Sequence, residues 1–220
     1  MNRPLLLGHR GARADKSIPE NTIASFDRAL ADGCDGFEFD VRLTADGTAI
    51  VCHDPNVNGM EIARTAAANL PAKMPTLNAV LTRYQDRAFL DIELKVAGLE
   101  KVAVSLLRAH PPRAGFVVSS FLPEVLRTIH AADPKIPLGL ICERRSQLAV
   151  WTDLPLTYAI LHRGLFDVPL IKRLKGAGKK ILVWTVNSED EMRRFRDAGV
   201  DGIISDDTRL LCRTMQGSGQ

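Results

Sequence analysis

Several features that commonly mark a function are missing from this sequence. No run approaches the roughly 18 apolar residues of a membrane span. Residues Met1 to Arg10 hold only three leucines in a row, Leu5 to Leu7, and no small-residue cleavage site follows. They read as neither a secretory leader nor an anchor. Cysteine is sparse: Cys34, Cys52, Cys142 and Cys212 form no CxxC pair and no zinc-ligand spacing. They are expected to be small apolar fillers of a reduced protein. Together these features predict a cytoplasmic protein. The surplus of positive charge is slight, 29 Lys+Arg against 26 Asp+Glu, or +3. That is no footprint for nucleic acid or an anionic membrane. Repeats, linkers and low-complexity stretches are also lacking, apart from the polar end 216–220, which is expected to be disordered.

What is present is a globular mixture, 45% apolar and 25% charged. A chain of 220 residues buries roughly 70% of its unfolded surface, so it needs no disulfide or structural zinc to fold. Short apolar runs at 4–9, 36–43, 88–95, 115–120, 137–142, 157–162, 180–186 and 202–205 read as strands. A ninth, 48–53, follows the second through Asp46-Gly47, a hairpin signal, and is placed antiparallel to it. Helices are expected between the strands. One covers 21–33 with Asn21 as its N-cap, one 99–110, and one 188–198 capped by Ser188. Another opens at Asp167 with Pro169 in its first turn, and shorter ones open at Thr76, Pro123 and Ser146.

Eight strands alternating with helices predict a parallel sheet covered by helices, and eight is the number that closes a (β/α)8 barrel. The ninth strand makes a small β-hairpin extension after strand 2. An open doubly wound sheet is the alternative, but no Gly-x-Gly-x-x-Gly follows the first strand to support a nucleotide crevice. Residues 1–215 are read as one domain.

Strand side chains alternate faces. Glu38 and Asp40 therefore share one face, while Phe37, Phe39 and Val41 take the other. In a barrel the aromatic set packs outward and the carboxylates enter the lumen. There they must bind a proton, pair with a cation or hold a metal. Asp91, Glu93 and Lys95 repeat the pattern on the third strand. Glu38, Asp40 and Glu93 make an oxygen site suited to Mg2+ or Ca2+, at the strand ends where barrel enzymes work. The alternative is a salt-bridge network closed by Lys95 and Arg10. His9 and His53 each end a strand and bracket the cluster, as an acid–base pair would. Arg10 and Lys95 add fixed cations for the oxygens of a phosphate diester. His110 and His130 read as surface residues of helices, and His162 ends the sixth strand.

The ordered set Gly8-His9-Arg10-Gly11, Pro19-Glu20-Asn21-Thr22, Glu38-Phe39-Asp40-Val41, Thr44-Ala45-Asp46-Gly47 and His53-Asp54 resembles the glycerophosphodiester phosphodiesterase family. The likeness continues through Pro75-Thr76-Leu77, Asp91-Ile92-Glu93-Leu94-Lys95, Ser119-Ser120-Phe121, Val183-Trp184-Thr185-Val186-Asn187 and Gly199-Val200-Asp201-Gly202, ending in Ile203-Ile204-Ser205-Asp206. The resemblance implies a TIM barrel that hydrolyses glycerophosphodiesters, small-molecule substrates, to sn-glycerol 3-phosphate and an alcohol, with Mg2+ or Ca2+. It implies Glu38, Asp40 and Glu93 as metal ligands, His9 and His53 as the catalytic pair, and Arg10 and Lys95 as phosphate contacts. Trp184 matches an aromatic residue at the mouth of the pocket. A homo-oligomer is compatible with the sequence.

Two departures stand out. The family's usual Thr-Asp-x-Pro appears as Ser205-Asp206-Asp207-Thr208, without proline. Only Pro55–Met74 separate His53-Asp54 from Pro75, where relatives usually carry a longer insertion. This segment is expected to form a loop and one helical turn. Two other readings remain: a lysophospholipase-D-like enzyme, which would need an apolar rim, and a non-catalytic phosphodiester-binding barrel.

Overall fold

Eight strands lie parallel and side by side, and the last pairs with the first. The computed structural model describes residues 3–216. In chain order the elements begin with β1 (Leu5–His9), α1 (Ile23–Ala31), β2 (Gly36–Leu43), β3 (Ala49–Val51), β4 (Asn56–Val57) and β5 (Met60–Glu61). They continue with α2 (Leu77–Tyr84), β6 (Phe89–Leu94), α3 (Glu100–Ala109), β7 (Phe116–Ser120), α4 (Pro123–Ala132) and β8 (Leu138–Cys142). The chain ends with β9 (Tyr158–His162), α5 (Val168–Gly176), β10 (Lys180–Trp184), α6 (Glu189–Asp197), β11 (Gly202–Ser205) and α7 (Thr208–Gln216). The order β1-β11-β10-β9-β8-β7-β6-β2 is closed by β1–β2 pairing, so the sheet is a (β/α)8 barrel. The short β3 runs antiparallel to the end of β2, Val41 opposite Val51, as the Asp46-Gly47 turn requires.

The alternation of β2 sorts its side chains as the sequence predicts. Phe37 and Phe39 pack outward among Phe26 and Tyr84, with Phe26 stacked on Phe37 at 4.2 Å between ring centres. The lower lumen is filled by Leu7, Phe89, Val117, Ile160, Leu182 and Ile204. This apolar plug leaves only the C-terminal end of the barrel for polar chemistry. Gly36 lets β2 and β6 meet at its base, since a Cβ there would lie 1.9 Å from the Phe89 carbonyl oxygen.

Several elements differ from expectation. Thr22 caps α1, its hydroxyl accepting from the Ser25 amide at 3.3 Å, while Asn21 is left-handed at φ 57 and turns inward. The segment expected to open at Ser146 is a 3-10 helix over Arg145–Asp153. Its Val150-Trp151-Thr152 run loses side-chain freedom in an α-helix, which disfavours that form. The seventh barrel strand stops at Trp184, two residues early. Within Pro55–Met74 lie the β4–β5 hairpin and two 3-10 turns, Ile62–Arg64 and Ala67–Asn69. Ile62 and Leu70 are buried against Ile50, which fastens the segment to β3. Gln216, assigned to the tail from sequence, ends α7, and 217–220 lie outside the described residues. Among the described residues no helix is long and apolar enough to cross a membrane.

Candidate active site

Strand register assembles the acids. β2 and β6 pair Glu38 with Asp91 and Asp40 with Glu93, and β1 sets His9 beside Glu38. The barrel interior buries all four carboxylates. Glu38, Asp40 and Glu93 each offer an oxygen within 4.8 Å of the others. Lys95 Nζ lies 2.7 Å from Glu93 Oε1 and 3.2 Å from Asp40 Oδ1, and Arg10 Nε lies 3.2 Å from Asp40 Oδ2. Arg10 and Gly11 form a left-handed turn, φ 53 and 83, that aims the Arg10 amide at Glu38 Oε2, 3.0 Å away. Gly11 is required there, because a Cβ would fall 2.4 Å from Ser25 Oγ.

The acids differ in their charge balance. Burial opposes ionisation of Asp40, but Lys95, Arg10 and the Asn21 amide (2.8 Å) outweigh it and hold the carboxyl below its ordinary range. Glu38 has no such partner set, so burial and then Asp40 push it well above the ordinary range. Burial, then Asp40, raises Glu93 to about 7. Burial raises Asp91 to about 7 as well, although the Ser119 hydroxyl donates to it at 2.6 Å. Two cations thus face three clustered carboxylates that share one small volume. That deficit of positive charge, with a hard oxygen donor set, fits a divalent Mg2+- or Ca2+-like ion.

Each histidine has an aspartate behind it. His9 Nδ1 donates to Asp206 Oδ1 at 2.7 Å, which turns Nε2 toward Glu38, 3.8 Å from Oε2. His53 Nδ1 donates to Asp54 Oδ1 at 2.7 Å, and Arg42 Nε holds the His53 carbonyl at 2.8 Å. The two sit at different depths: the His9 side chain is 12% exposed and the His53 side chain 35%. Asp206 also accepts from Asn187 and Arg13, and with His9 these outweigh burial and keep it ionised far below the ordinary range. Glu20 clasps Arg10 at 2.7 Å and Arg13 at 2.5 Å. Asp206, Arg42 and Arg13 were not singled out from sequence. Only the position of Asp206 after the last strand, inside a matched motif, signalled it.

The site opens into a cavity of about 130 Å³. Its walls are polar at His9, Arg10, Glu38, His53, Asp91, Glu93 and Lys95 and apolar at Phe121, Ile141, Ile160, Trp184 and Ile204. Trp184 packs edge-on to Phe121 and to His162, and its buried Nε1 donor has no acceptor among the described residues. His162 therefore belongs to the rim through Trp184. Asp40 touches the polar lining from behind, through Arg10 and Lys95. A wider depression, about 890 Å³, opens at the other end of the barrel around Leu5, Phe89, Tyr158 and Lys180. Its lining holds neither histidine and none of the three clustered acids, so size does not mark the chemistry.

A closed barrel with carboxylates, histidines and cations gathered at its C-terminal mouth is the layout of a hydrolase for charged esters. The sequence model of the Glycerophosphoryl diester phosphodiesterase family matches residues 9–83 and 71–210. A glycerophosphodiester phosphodiesterase of Caldanaerobacter subterraneus subsp. tengcongensis is 31% identical over 244 aligned positions, covering 99% of this chain and all of the relative. The alignment is longer than the 220 residues here, so the relative carries residues this chain lacks. The structure of an Oleispira antarctica phosphodiesterase in complex with the product sn-glycerol-3-phosphate superposes with a TM-score of 0.87. The two share 26% identity over 98% of both chains. The Thermotoga maritima glycerophosphodiester phosphodiesterase has the same fold, with a TM-score of 0.85 at 23% identity over 97% of this chain and 99% of that one. The chain belongs to the glycerophosphoryl diester phosphodiesterase family, a family of phosphoric diester hydrolases.

Proposed function

We propose that residues 1–215 act as one catalytic unit that hydrolyses glycerophosphodiesters to sn-glycerol 3-phosphate and an alcohol. The observation that carries this reading is that two aspartate-backed histidines share one cavity with Glu38 and Glu93, two members of the acid triad that Asp40 completes from behind. The Oleispira relative, bound to sn-glycerol-3-phosphate, supports the product assignment.

Glu38, Asp40 and Glu93 would hold a divalent ion, Mg2+ or Ca2+. When bound, such an ion supplies Lewis-acid stabilisation of the charge that grows on the phosphoryl oxygens. Arg10 and Lys95 line the same cavity and bind the non-bridging oxygens. His9, the deeper histidine, takes the proton of the attacking hydroxyl on Nε2 while Asp206 steadies the resulting imidazolium. His53, nearer the mouth, gives its Nε2 proton to the departing alcohol oxygen, since the alcohol leaves toward solvent. Trp184 Nε1, a buried donor without an acceptor among the described residues, contacts the substrate. The apolar lining covers its carbon backbone and excludes water. The sparse cysteines, with no CxxC pair in the sequence, suit placement in the cytoplasm.

The experiment is turnover of glycerophosphocholine followed by 31P NMR. The expected result is a phosphomonoester signal at the position of sn-glycerol 3-phosphate, with free choline in equal amount. Release of phosphocholine instead would mean that the other P–O bond breaks and would overturn the product assignment. A cyclic phosphate signal that rises and falls would identify the neighbouring glycerol hydroxyl, rather than water, as the attacker.

A further inference from the structure

Cys34 and Cys212 are 178 positions apart in sequence, yet their sulfurs are 3.7 Å apart and both side chains are buried. The contact belongs to a seam. Asp32 accepts from the Thr208 hydroxyl at 2.6 Å and from Arg209 Nε at 3.3 Å, at the start of α7. One helical turn later Cys212 meets Cys34. Between them Gly33 passes so close that a Cβ there would lie 3.6 Å from the Cys212 sulfur. The turn Asp32-Gly33-Cys34 therefore runs along one face of the last helix. The other two cysteines differ: Cys52 Sγ donates to the Asp54 carbonyl, and Cys142 lies among core residues of the outer layer.

We propose that Cys34 and Cys212 form a site of reversible disulfide formation, oxidised by peroxide, that fastens α7 to the turn entering β2. The Cys212 thiolate attacks a peroxide oxygen and hydroxide leaves, giving a sulfenic acid. Cys34 sulfur then attacks the Cys212 sulfur and displaces the hydroxyl, which leaves as water with the Cys34 proton. Two thiols are oxidised, one disulfide forms, and one hydrogen peroxide is reduced to two waters. The hydrogen bond from Cys34 holds the Cys212 thiol below its ordinary value, while the same contact and burial push Cys34 up. This assigns Cys212 as the attacked sulfur. Peroxide reaches the buried pair through local opening at the end of α7.

Closing so long a loop removes conformational freedom from the unfolded chain, so the cross-linked form melts about 5–10 °C higher. Neither cysteine lines the catalytic cavity, so turnover stays within about twofold. The test treats the full chain with peroxide, quenches it, and maps peptides without reduction. A Cys34–Cys212 linked peptide, lost on reduction together with the gain in Tm, is the expected result. Cys34→Ser and Cys212→Ser should each abolish the linked peptide and the oxidant-dependent rise in Tm. Two free thiols, a sulfinic acid at either position without a link, or a cross-linked form that melts lower would each overturn the proposal. The mapping of the unsubstituted chain decides even if a variant folds poorly.

Discussion

Glu93→Gln is expected to make the metal-free protein more stable at pH 8 and to change it little at pH 5. Burial and Asp40 raise the Glu93 carboxyl from 4.5 to about 7. The folded state therefore holds the proton more tightly than the unfolded state. Stability falls as pH rises from the unfolded value to the folded one and is level above it. Across that interval the ionised form costs about 3 kcal/mol at pH 8 and under about 1 kcal/mol at pH 5. Glutamine keeps the carbonyl oxygen that faces Lys95 at 2.7 Å but carries no charge. The raised value is already net of the Lys95 contact, and an imperfect fit of the amide leaves about 1–3 kcal/mol, or roughly 3–10 °C in Tm. The assay is thermal unfolding in excess chelator at both pH values. Added Mg2+ or Ca2+ should then raise the Tm of the unsubstituted chain and not that of the variant. A variant less stable at pH 8, or a difference that does not grow between pH 5 and pH 8, would mean that Glu93 is not destabilised by its own ionisation.

His9→Ala and His53→Ala should each lower kcat on glycerophosphocholine by about 10²- to 10⁴-fold. With a p-nitrophenyl leaving group, which needs no proton, His53→Ala should recover most of its loss and His9→Ala none; equal recovery would cancel the assignment of roles. Asp206→Asn should cost roughly 10²-fold in kcat with little change in KM, because it releases His9 rather than the substrate. An effect confined to KM would place Asp206 in binding instead. A segment as short as Pro55–Met74 is expected to build no roof over the alcohol side of the substrate. Choline, ethanolamine and glycerol esters should therefore differ by less than roughly 100-fold in kcat/KM. A larger preference would mean that other loops build a specific alcohol pocket.

How much of this was legible in the sequence depended on whether the signal was periodic. Alternation along β2 and β6 was enough to send Glu38, Asp40, Asp91 and Glu93 into the lumen and Phe37 and Phe39 outward. It could not distinguish the acids. Read as a strand pattern, Glu38 and Asp40 are an equivalent repelling pair. In the barrel only Asp40 receives Lys95, Arg10 and Asn21, which come from three other positions in the chain. Asn21 shows the limit of local rules. Its type and place suit a helix cap, but the adjacent Thr22 serves, and Asn21 is spent on Asp40. Asp206 lies 197 positions from His9, and Cys212 lies 178 from Cys34. Such pairs depend on the closure of β11 onto β1, which no local spacing encodes. The stretch 55–74 looked featureless because its anchors, Ile62 and Leu70, are single apolar residues packed on β3.

The requirement for a divalent ion held by Glu38, Asp40 and Glu93 is the core of the proposed function. Its most direct test is glycerophosphocholine turnover by protein stripped with chelator, before and after Mg2+ or Ca2+ is restored, with the bound metal measured in the same samples. No turnover is expected in the stripped protein, with recovery in proportion to bound ion and with Glu38→Ala neither binding the ion nor recovering. Undiminished turnover in a sample shown to be free of metal would contradict the requirement.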